Sequence, residues 1–245
     1  MLFNRIENLN GQVAVITGAN GGVGFAVAER LAKSGAQIIG IVRRNVEEMQ
    51  ARLDQLGPGH RALLADVTSS EQLISAAAQI TQCDILINNA GASTPIDHKN
   101  LTSLTDEIFE NVVKVNLNGV FYTTKAFLPL LRKSQNALVV NISSASSIRT
   151  GGSNVAYAAA KAGVDSLTRN LAKALAPIRV VSLNPTLIKT NFTQMPDSYY
   201  HNAGLGTPLK RVVTVEDVAS TVEALATTVR FVTGNNIVID GGRTL

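Results

Sequence analysis

The chain has 245 residues, of which 45% are hydrophobic and 16% charged, with a formal net charge of +4. Its length and hydrophobic content suit one domain over residues 1–245 with a sizeable core. Its apolar runs are too short to cross a bilayer, residues 1–11 are too polar for a signal peptide, and no basic stripe alternates with aromatic residues. We therefore expect no membrane and no nucleic-acid partner. The single cysteine, Cys83, excludes an internal disulfide, is expected in the core, and fits a cytoplasmic location.

Short β-branched runs alternate with longer helical patterns along the chain. The runs predict strands at 12–17, 36–42, 61–66, 84–89, 137–143, 178–183 and 231–240. The helical patterns predict helices near 22–34, 46–56, 70–81, 104–133, 155–176 and 215–227. Pro129 is expected to kink or end the fourth helix. Because such alternation implies parallel pairing, the fold class is α/β: a single-domain doubly wound parallel sheet of the Rossmann type, with helices on both faces.

A glycine-rich turn, TGANGGVG, follows the first predicted strand and opens the first predicted helix. Glycines allow a close backbone approach, and the helix N-terminus offers free N–H groups to a pyrophosphate. A plain turn is the alternative, but the strand-turn-helix context favours a dinucleotide loop. The predicted cofactor contacts here are Gly18, Asn20, Gly22, Val23 and Gly24.

The residues after the second predicted strand bear on the choice of cofactor. An NAD site usually offers Asp or Glu to the ribose 2′-hydroxyl at this point, but the strand ends at Val42. Arg43 can instead pair with a 2′-phosphate, which favours NADP(H). The alternative is that Arg43 and Arg44 are a solvated pair. Gly21 leaves the loop without a second basic residue, so the preference depends mainly on Arg43.

Two further motifs end predicted strands. Asp66 could accept a hydrogen bond from the adenine amino group, or it could cap the helix that begins near Ser70. The NNAG sequence closes the fourth strand with small residues, where Asn89 could tie strand ends together or contact the ligand. The predicted cofactor contacts at these two strand ends are Asp66, Val67, Asn89, Ala90 and Gly91.

Tyr157 and Lys161 stand four residues apart, and Ser144 precedes the tyrosine by thirteen residues. The four-residue gap places both side chains on one helix face. An ammonium close to a phenol can lower the pKa of the tyrosine from about 10 toward neutrality. Ser144 could then hold the substrate oxygen that exchanges the proton. The alternative is a half-buried tyrosine beside a solvated lysine.

These motifs together resemble the classical short-chain dehydrogenase/reductase family. The resemblance covers nearly the whole chain in order and is carried by TGANGGVG, ADV, NNAG, the asparagine of VNLNG, ISS, YAAAK, NPTLIKT and VTGNNIVIDGG. Within the family, the closing segment and general layout are most similar to 3-oxoacyl-carrier-protein reductases.

The resemblance implies a catalytic role for four residues. It makes Tyr157 the general acid or base, and Lys161 the residue that lowers its pKa and binds the nicotinamide ribose. Ser144, rather than Ser143, orients the substrate, and Asn116 distorts a helix and holds a water in a proton relay. It adds cofactor contacts at Pro185, Ile188 and Thr190, besides Tyr157 and Lys161. No metal is expected, because the three histidines are scattered.

The resemblance also bears on the substrate and on assembly. Residues 191–210 correspond to a mobile lid, in which Met195, Tyr199 and Tyr200 line an apolar pocket with His201 at its rim, or pack on the protein itself. The helices near 104–133 and 155–176 form a four-helix subunit interface in the family and the C-terminal strand forms a second, so a homodimer or homotetramer is expected.

Three functions follow as hypotheses. The first is an NADP(H)-dependent oxidoreductase that reduces a small-molecule ketone, such as a 3-oxoacyl thioester borne on an acyl carrier. The second is an NAD(P)-dependent alcohol or diol dehydrogenase of a catabolic or biosynthetic pathway. The third is a non-catalytic NADP(H)-binding regulator, against which the intact catalytic set argues.

Overall fold

A computed structural model describes residues 8–245 of the chain. Residues 1–7, which belong to the predicted domain and to the segment weighed as a signal peptide, lie outside the described residues. The described part contains one parallel sheet with strand order β3-β2-β1-β4-β5-β6-β7. Its strands are β1 (Val13–Thr17), β2 (Gln37–Val42), β3 (Arg61–Leu64), β4 (Ile85–Asn88), β5 (Leu138–Ile142), β6 (Arg179–Pro185) and β7 (Asn236–Ile239).

The α-helices of the described residues all lie between successive strands of the chain. They are α1 (Gly22–Lys33), α2 (Val46–Asp54), α3 (Ser70–Ala77), α4 (Asp106–Val113), α5 (Gly119–Leu131), α6 (Val155–Ala174), α7 (Asp197–Leu205) and α8 (Val215–Thr227). None of them, within residues 8–245, is long and apolar enough to span a bilayer. The order of strands and helices confirms the doubly wound α/β fold.

The sheet separates two apolar layers, because successive side chains of a strand point to opposite faces. On one face Ile16 of β1 packs in a cluster with Val222 of α8. On the other face Val15 belongs to the cluster that contains Phe127 of α5. Cys83 is fully buried in this second cluster, and burial raises the pKa of its thiol, which confirms it as a core residue.

Strand β7 is much shorter than predicted, and β3, β4 and β5 are each shorter by two residues. Strand β3 ends at Leu64, so Asp66 lies in the loop that follows it. Strand β7 begins only at Asn236, after a turn in which Gly234 has φ +70° and its N–H donates to the Val180 carbonyl at 2.7 Å. A turn with positive φ cannot continue a strand, although the residues around it favour one.

The predicted helix 104–133 is two helices joined by a π-helical turn at Lys114–Asn118. Thr105 caps α4 by accepting a hydrogen bond from the Ile108 N–H at 3.3 Å. Pro129 lies inside α5, which continues past it and ends two residues later at Leu131. The predicted lid 191–210 contains α7, a helix that the sequence pattern did not indicate.

Candidate active site

A cavity of about 450 Å³ lies at the carboxyl ends of β1, β4, β5 and β6. This is the edge at which a doubly wound sheet binds its ligands. Fourteen of the eighteen predicted site residues line this cavity: Gly18, Asn20, Gly22, Val23, Asn89, Ala90, Gly91, Asn116, Ser144, Tyr157, Lys161, Pro185, Ile188 and Thr190. The four that do not line it are Gly24, Arg43, Asp66 and Val67.

The glycine loop is held against the end of β4. Gly18 has φ +61°, and a β-carbon there would lie 2.9 Å from the Ala90 Cα. The Asn89 side-chain amide donates to the carbonyls of Thr17 and Gly18 at 3.1 and 3.0 Å. Asn89 therefore ties two strand ends together, which confirms that interpretation, and it also lines the cavity, where contact with a ligand stays a prediction.

Gly22 and Gly24 have different surroundings. Gly22 is exposed at the start of α1, and a β-carbon there would lie 2.9 Å from Thr190 Cγ2. Gly24 is buried, and a β-carbon there would lie 2.3 Å from the Gly18 carbonyl oxygen. Gly24 thus allows α1 to pack against the loop, whereas Gly22 keeps the space above the helix N-terminus open.

The adenine side of the predicted site lies after β2 and β3. The Gly18 N–H donates to the Ile41 carbonyl at 2.9 Å, which places the end of β2 beside the glycine loop. Arg43 and Arg44 follow, both exposed. Their exposure leaves the guanidinium of Arg43 accessible to a phosphate group next to that loop.

Asp66 and Val67 face their own loop. Asp66 Oδ1 accepts hydrogen bonds from the Thr68 N–H and hydroxyl, both at 2.8 Å. Ser69, rather than Asp66, caps α3, so the capping alternative for Asp66 is wrong. Val67 is buried, and its side chain packs against Gly119, where a β-carbon would lie 2.9 Å from Val67 Cγ2.

The structure brings the three central side chains to one wall of the cavity. Asn154 caps α6 by accepting from the Tyr157 N–H at 2.7 Å, which sets the start of the helix. Lys161 lies on the same face, with its Nζ 5.5 Å from the centroid of the Tyr157 ring and 2.7 Å from the Ile142 carbonyl oxygen to which it donates. Ser144 follows β5 on the adjoining loop.

The two serines at the end of β5 have distinct surroundings. Ser143 is 2% exposed, and its hydroxyl donates to the Lys161 backbone carbonyl at 3.1 Å. Ser144 is half-buried, and its Oγ accepts from the N–H and hydroxyl of Ser146 at 3.2 and 2.9 Å. The Ser143 hydroxyl is thus committed to the backbone of α6, whereas the Ser144 hydroxyl faces Tyr157 across the cavity wall.

Burial sets the pKa values of the tyrosine and lysine. Burial raises the pKa of Tyr157 to about 12, although hydrogen bonding with Ser144 opposes the rise. Burial lowers the pKa of Lys161 to about 8, against the opposing charge of Asp165. The pKa of Tyr157 therefore lies above its ordinary value rather than near neutrality, because burial outweighs the hydrogen bond with Ser144.

Asp165 supports this wall from behind. It is 3% exposed and accepts hydrogen bonds from the Ser147 hydroxyl at 2.5 Å, the Asn184 amide at 2.7 Å and the Ser182 hydroxyl at 3.1 Å. Asn184 also donates to the Ser144 carbonyl at 3.3 Å. The carboxylate thus holds the serine loop against α6. The four-residue gap from Lys161 was a signal for this residue in the sequence.

Asn116 lies in the π-helical turn, a distortion of the kind that the family resemblance implied for this residue. It is fully buried, and its amide donates to the carbonyls of Ala92 at 2.6 Å and Val112 at 2.8 Å. Its Oδ1 is buried without a hydrogen-bond partner among the described residues. A buried acceptor of this kind needs a donor, and a water molecule or a ligand hydroxyl can supply one.

The segment 191–210 divides between the cavity and the protein. Met195 and Tyr199 line the cavity and remain exposed. Tyr200 instead is buried, and its hydroxyl donates to the Thr193 carbonyl. His201 is exposed but does not line the cavity. The apolar-pocket interpretation is therefore right for Met195 and Tyr199 and wrong for Tyr200 and His201.

Several lining residues were not predicted. The Phe192 ring lies 6.1 Å from that of Tyr157 between centroids. Ser153 and Ser93, whose hydroxyls are hydrogen-bonded to each other, line the cavity near Tyr157, and two arginines also line it. These residues lie on loops, where sequence alone gives no spacing that points to one site.

The residues present fit a nicotinamide dinucleotide. Glycines leave open the N-terminus of α1, and Gly21, at its N-cap position, makes no side-chain bond there. The unpartnered Asn116 Oδ1 and the Lys161 ammonium add an acceptor and a donor at the opposite end. Among residues 8–245, no cluster of three or more histidine, cysteine, aspartate or glutamate side chains could hold a metal ion.

Known proteins with similar sequences cover nearly the whole chain. The family model described as enoyl-(acyl carrier protein) reductase matches residues 18–244. A 3-oxoacyl-[acyl-carrier-protein] reductase of Thermotoga maritima is 34% identical, with 96% of this chain and 98% of the relative covered. A 7alpha-hydroxysteroid dehydrogenase of Bacteroides fragilis is 28% identical, with 99% of this chain and 97% of the relative covered.

The fold has equally close counterparts among solved structures. A short-chain dehydrogenase/reductase of Brucella melitensis, described as glucose/ribitol dehydrogenase, superimposes with a TM-score of 0.89. It is 29% identical, and the match covers 99% of this chain and 100% of that one. These relatives act on different kinds of substrate, so similarity alone leaves the substrate open.

Proposed function

Because the chain belongs to the short-chain dehydrogenase/reductase family of oxidoreductases, close to the 3-oxoacyl-carrier-protein reductases, we propose that it uses NADPH to reduce a ketone to a secondary alcohol. One observation carries the proposal: Ser144, Tyr157 and Lys161 line the same cavity as the glycine loop. Proton transfer and cofactor binding then take place at one site.

In this mechanism the cofactor supplies the hydride, and the chain positions the carbonyl and supplies the proton. The Ser144 hydroxyl donates a hydrogen bond to the carbonyl oxygen. The Tyr157 hydroxyl gives its proton to that oxygen. Lys161 binds the nicotinamide ribose and stabilises the phenolate with its charge. Asn116 holds, through its unpartnered Oδ1, a water that returns the proton to the site.

The raised pKa of Tyr157 supports the reductive direction. A phenol with a pKa of about 12 stays protonated at neutral pH, so it is ready to act as an acid. Alcohol oxidation would require the phenolate as the base, which burial disfavours. The protonated phenol is thus the form that ketone reduction needs, and the reverse oxidation should gain rate as the pH rises.

NADP(H) is proposed over NAD(H) because β2 ends without a carboxylate and is followed by the exposed Arg43. A guanidinium can pair with the 2′-phosphate of NADPH in two parallel hydrogen bonds. Replacing it by alanine (Arg43→Ala) should raise the dissociation constant of NADPH by about 10-fold or more and leave that of NADH nearly unchanged. Fluorescence titration of both cofactors measures the difference, and an equal effect on both would remove the argument for NADP(H).

The relatives support a ketone as the substrate class, since one is named for 3-oxoacyl groups and another for a hydroxysteroid. A 3-oxoacyl thioester borne on an acyl carrier is one substrate consistent with this class. We also propose a homodimer or homotetramer, in which a groove between α5 and α6, lined in part by Leu117, Phe121 and Leu167, contacts a second subunit.

The decisive experiment follows NADPH absorbance with a panel of ketones, in the wild type and in Tyr157→Phe. The variant should lose about 1,000-fold or more in kcat, because the phenylalanine ring has no proton to give, while NADPH binding persists. Full turnover by the variant would contradict the proton-transfer role. Tight NADPH binding without turnover of any ketone by the wild type would instead favour a non-catalytic regulator.

A further inference from the structure

Two arginines line the candidate active site without a role in the proton transfer or in the glycine loop. Arg149 lies on the loop after β5 and is exposed. Arg243 lies after β7 and is half-buried. Both line the cavity that contains the side chains of Ser144 and Tyr157.

The charge of these arginines is not neutralised inside the cavity. No aspartate or glutamate lines it in the part of the chain that the structure describes. Arg243 donates from Nη1 to the Ala203 carbonyl at 2.9 Å, which fixes the side chain and leaves its other donors available. Arg149 makes no ion pair or hydrogen bond through its guanidinium to any residue of 8–245. A concave wall of one charge sign attracts ions of the opposite sign.

The charge of Arg149 acts on the carboxylate of Asp240, but that carboxylate is hydrogen-bonded within its own turn. Although burial pushes the pKa of Asp240 upward, hydrogen bonds from Thr244 and Gly242 and the charge of Arg149 hold it below its ordinary value. Its Oδ1 accepts from the Gly242 N–H at 2.8 Å, and its Oδ2 accepts from the Thr244 N–H and hydroxyl at 2.7 and 2.6 Å. Arg149 therefore lies close to Asp240 without being bound by it.

The arginines follow strands that lie away from the glycine loop, where the cofactor phosphates are expected. The glycine loop follows β1, whereas the arginines follow β5 and β7, two and four strands away in the sheet order. Strands are spaced by about 4.8 Å, so the ends of β5 and β7 lie about 10 and about 19 Å from the end of β1 across the sheet. Arg43, beyond β2, is on the opposite side of that loop. The two arginines thus belong to the substrate end.

We propose that Arg149 and Arg243 bind an anionic group of the substrate, a carboxylate or a phosphate, while its carbonyl is reduced beside Tyr157. The guanidinium fork matches both groups through paired, charge-assisted hydrogen bonds. This inference builds on the proposed function and narrows its substrate class to small oxo acids or oxo phosphate esters. It also predicts that a neutral ketone of the same shape is a poor substrate.

The test compares pairs of ketones that differ in charge. Levulinate is paired with methyl levulinate, and hydroxyacetone phosphate with hydroxyacetone, with NADPH and the wild type, Arg149→Gln or Arg243→Gln. Each substitution should lower kcat/KM for the anionic member about 10- to 100-fold and leave the neutral member nearly unchanged. The larger effect identifies carboxylate or phosphate as the preferred anion. Arg169→Gln, at an exposed position of α6 outside the cavity, is the matched control.

A binding measurement separates this inference from the proposed function. Calorimetric titration of the NADP⁺-loaded protein with glutarate, which has no carbonyl to reduce, should give binding that both arginine variants weaken about 10-fold or more and that dimethyl glutarate does not reproduce. Equal reduction of neutral and anionic ketones, or equal losses for both in the variants, overturns the anion site but keeps the reductase. Arginine-dependent glutarate binding without any ketone turnover supports the anion site and contradicts the reductase.

Discussion

Burial, rather than the pairing of charges, dominates the behaviour of the catalytic side chains. Lys161 is 4% exposed and its ammonium has one hydrogen-bond acceptor among the described residues, the Ile142 carbonyl. The charge of Asp165 raises the pKa of the lysine, but burial lowers it by a larger amount. At neutral pH the buried ammonium of Lys161 therefore lowers the stability of the folded protein. Destabilising features of this kind are often found at functional sites.

This cost makes stability depend on pH through Lys161. The pKa of its amine is about 8 in the folded protein and near 10.5 in the unfolded chain. Between these values the unfolded chain binds more protons, so the stability contributed by this group rises with pH and is lost as pH falls through about 8. From about pH 7.5 to about pH 10, we expect a gain of about 2 kcal/mol from this residue alone.

Lys161→Met should remove that gain. Urea unfolding at several pH values measures the free energy of unfolding for both proteins, and the wild type should rise relative to the variant by the amount stated. Groups distant from Lys161, among them the buried Cys83 thiol, titrate alike in both proteins and cancel in the difference. Parallel pH curves for the two proteins would contradict the lowered pKa of Lys161.

Two glycines at the start of α1 should differ in their roles: we expect one to matter for stability and the other for NADPH binding. In Gly24→Ala the new methyl would lie 2.3 Å from the Gly18 carbonyl oxygen and 2.6 Å from the Asn89 amide nitrogen, so α1 would have to move. We expect a loss of about 1 to 3 kcal/mol of stability. Thermal or urea unfolding measures it.

Gly22→Ala is the matched variant. Its methyl would meet the end of the Thr190 side chain at 2.9 Å on the cavity side, where the side chain can rotate away. Stability should stay within about 1 kcal/mol, since alanine favours a helix over glycine. NADPH affinity should fall about 10-fold, because the methyl occupies the approach to the helix N-terminus. A stability loss in Gly22→Ala together with an affinity loss confined to Gly24→Ala would contradict this assignment of roles.

The elements that sequence reasoning predicted best are those governed by local pattern. Strands such as β1 and β5 are buried on both faces, so their apolar runs are visible in the sequence. The break between α4 and α5 was not visible in the residue pattern, and only the family resemblance implied a distortion at Asn116. The Asn116 amide takes the Val112 carbonyl that an α-helix would pair with the Asn116 N–H, and a second bond to Ala92 holds it there. That second contact spans two distant segments.

Helix α7 escaped prediction for a related reason. It has no apolar stripe, and contacts outside the helix hold it: the Tyr200 hydroxyl bonds the Thr193 carbonyl, and Lys189 pairs with Asp197 at 2.6 Å. In the site, the glycine loop and the tyrosine-lysine pair were predictable because their spacing is local. Phe192, Arg149 and Arg243 were not, because the fold alone brings their loops to one cavity.

On the scale of the whole molecule, the surface opposite the catalytic wall of α6 is unlike an ordinary solvated face. A groove of about 640 Å³ runs between α5 and α6, lined in part by Leu117, Phe121 and Leu167. The Phe121 side chain is 42% exposed there. Gly163 allows α6 to approach the π-helical turn closely, since a β-carbon there would lie 2.9 Å from Leu117 Cδ2. The same helix thus carries the catalytic residues on one face and an apolar groove on another.

Phe121→Glu tests whether that groove is the proposed subunit interface. A carboxylate buried between two subunits without a partner should weaken association by about 3 kcal/mol, or about 100-fold, whereas on a solvated surface it changes little. Light scattering after size exclusion should give a dimer or tetramer for the wild type and a smaller mass for the variant.

Ile74→Glu on α3, where the side chain is 59% exposed, is the control and should keep the wild-type mass. A monomeric wild type, or an unchanged mass for Phe121→Glu, would contradict an interface at α5 and α6. Because α6 also positions Tyr157 and Lys161, dissociation should lower turnover together with mass.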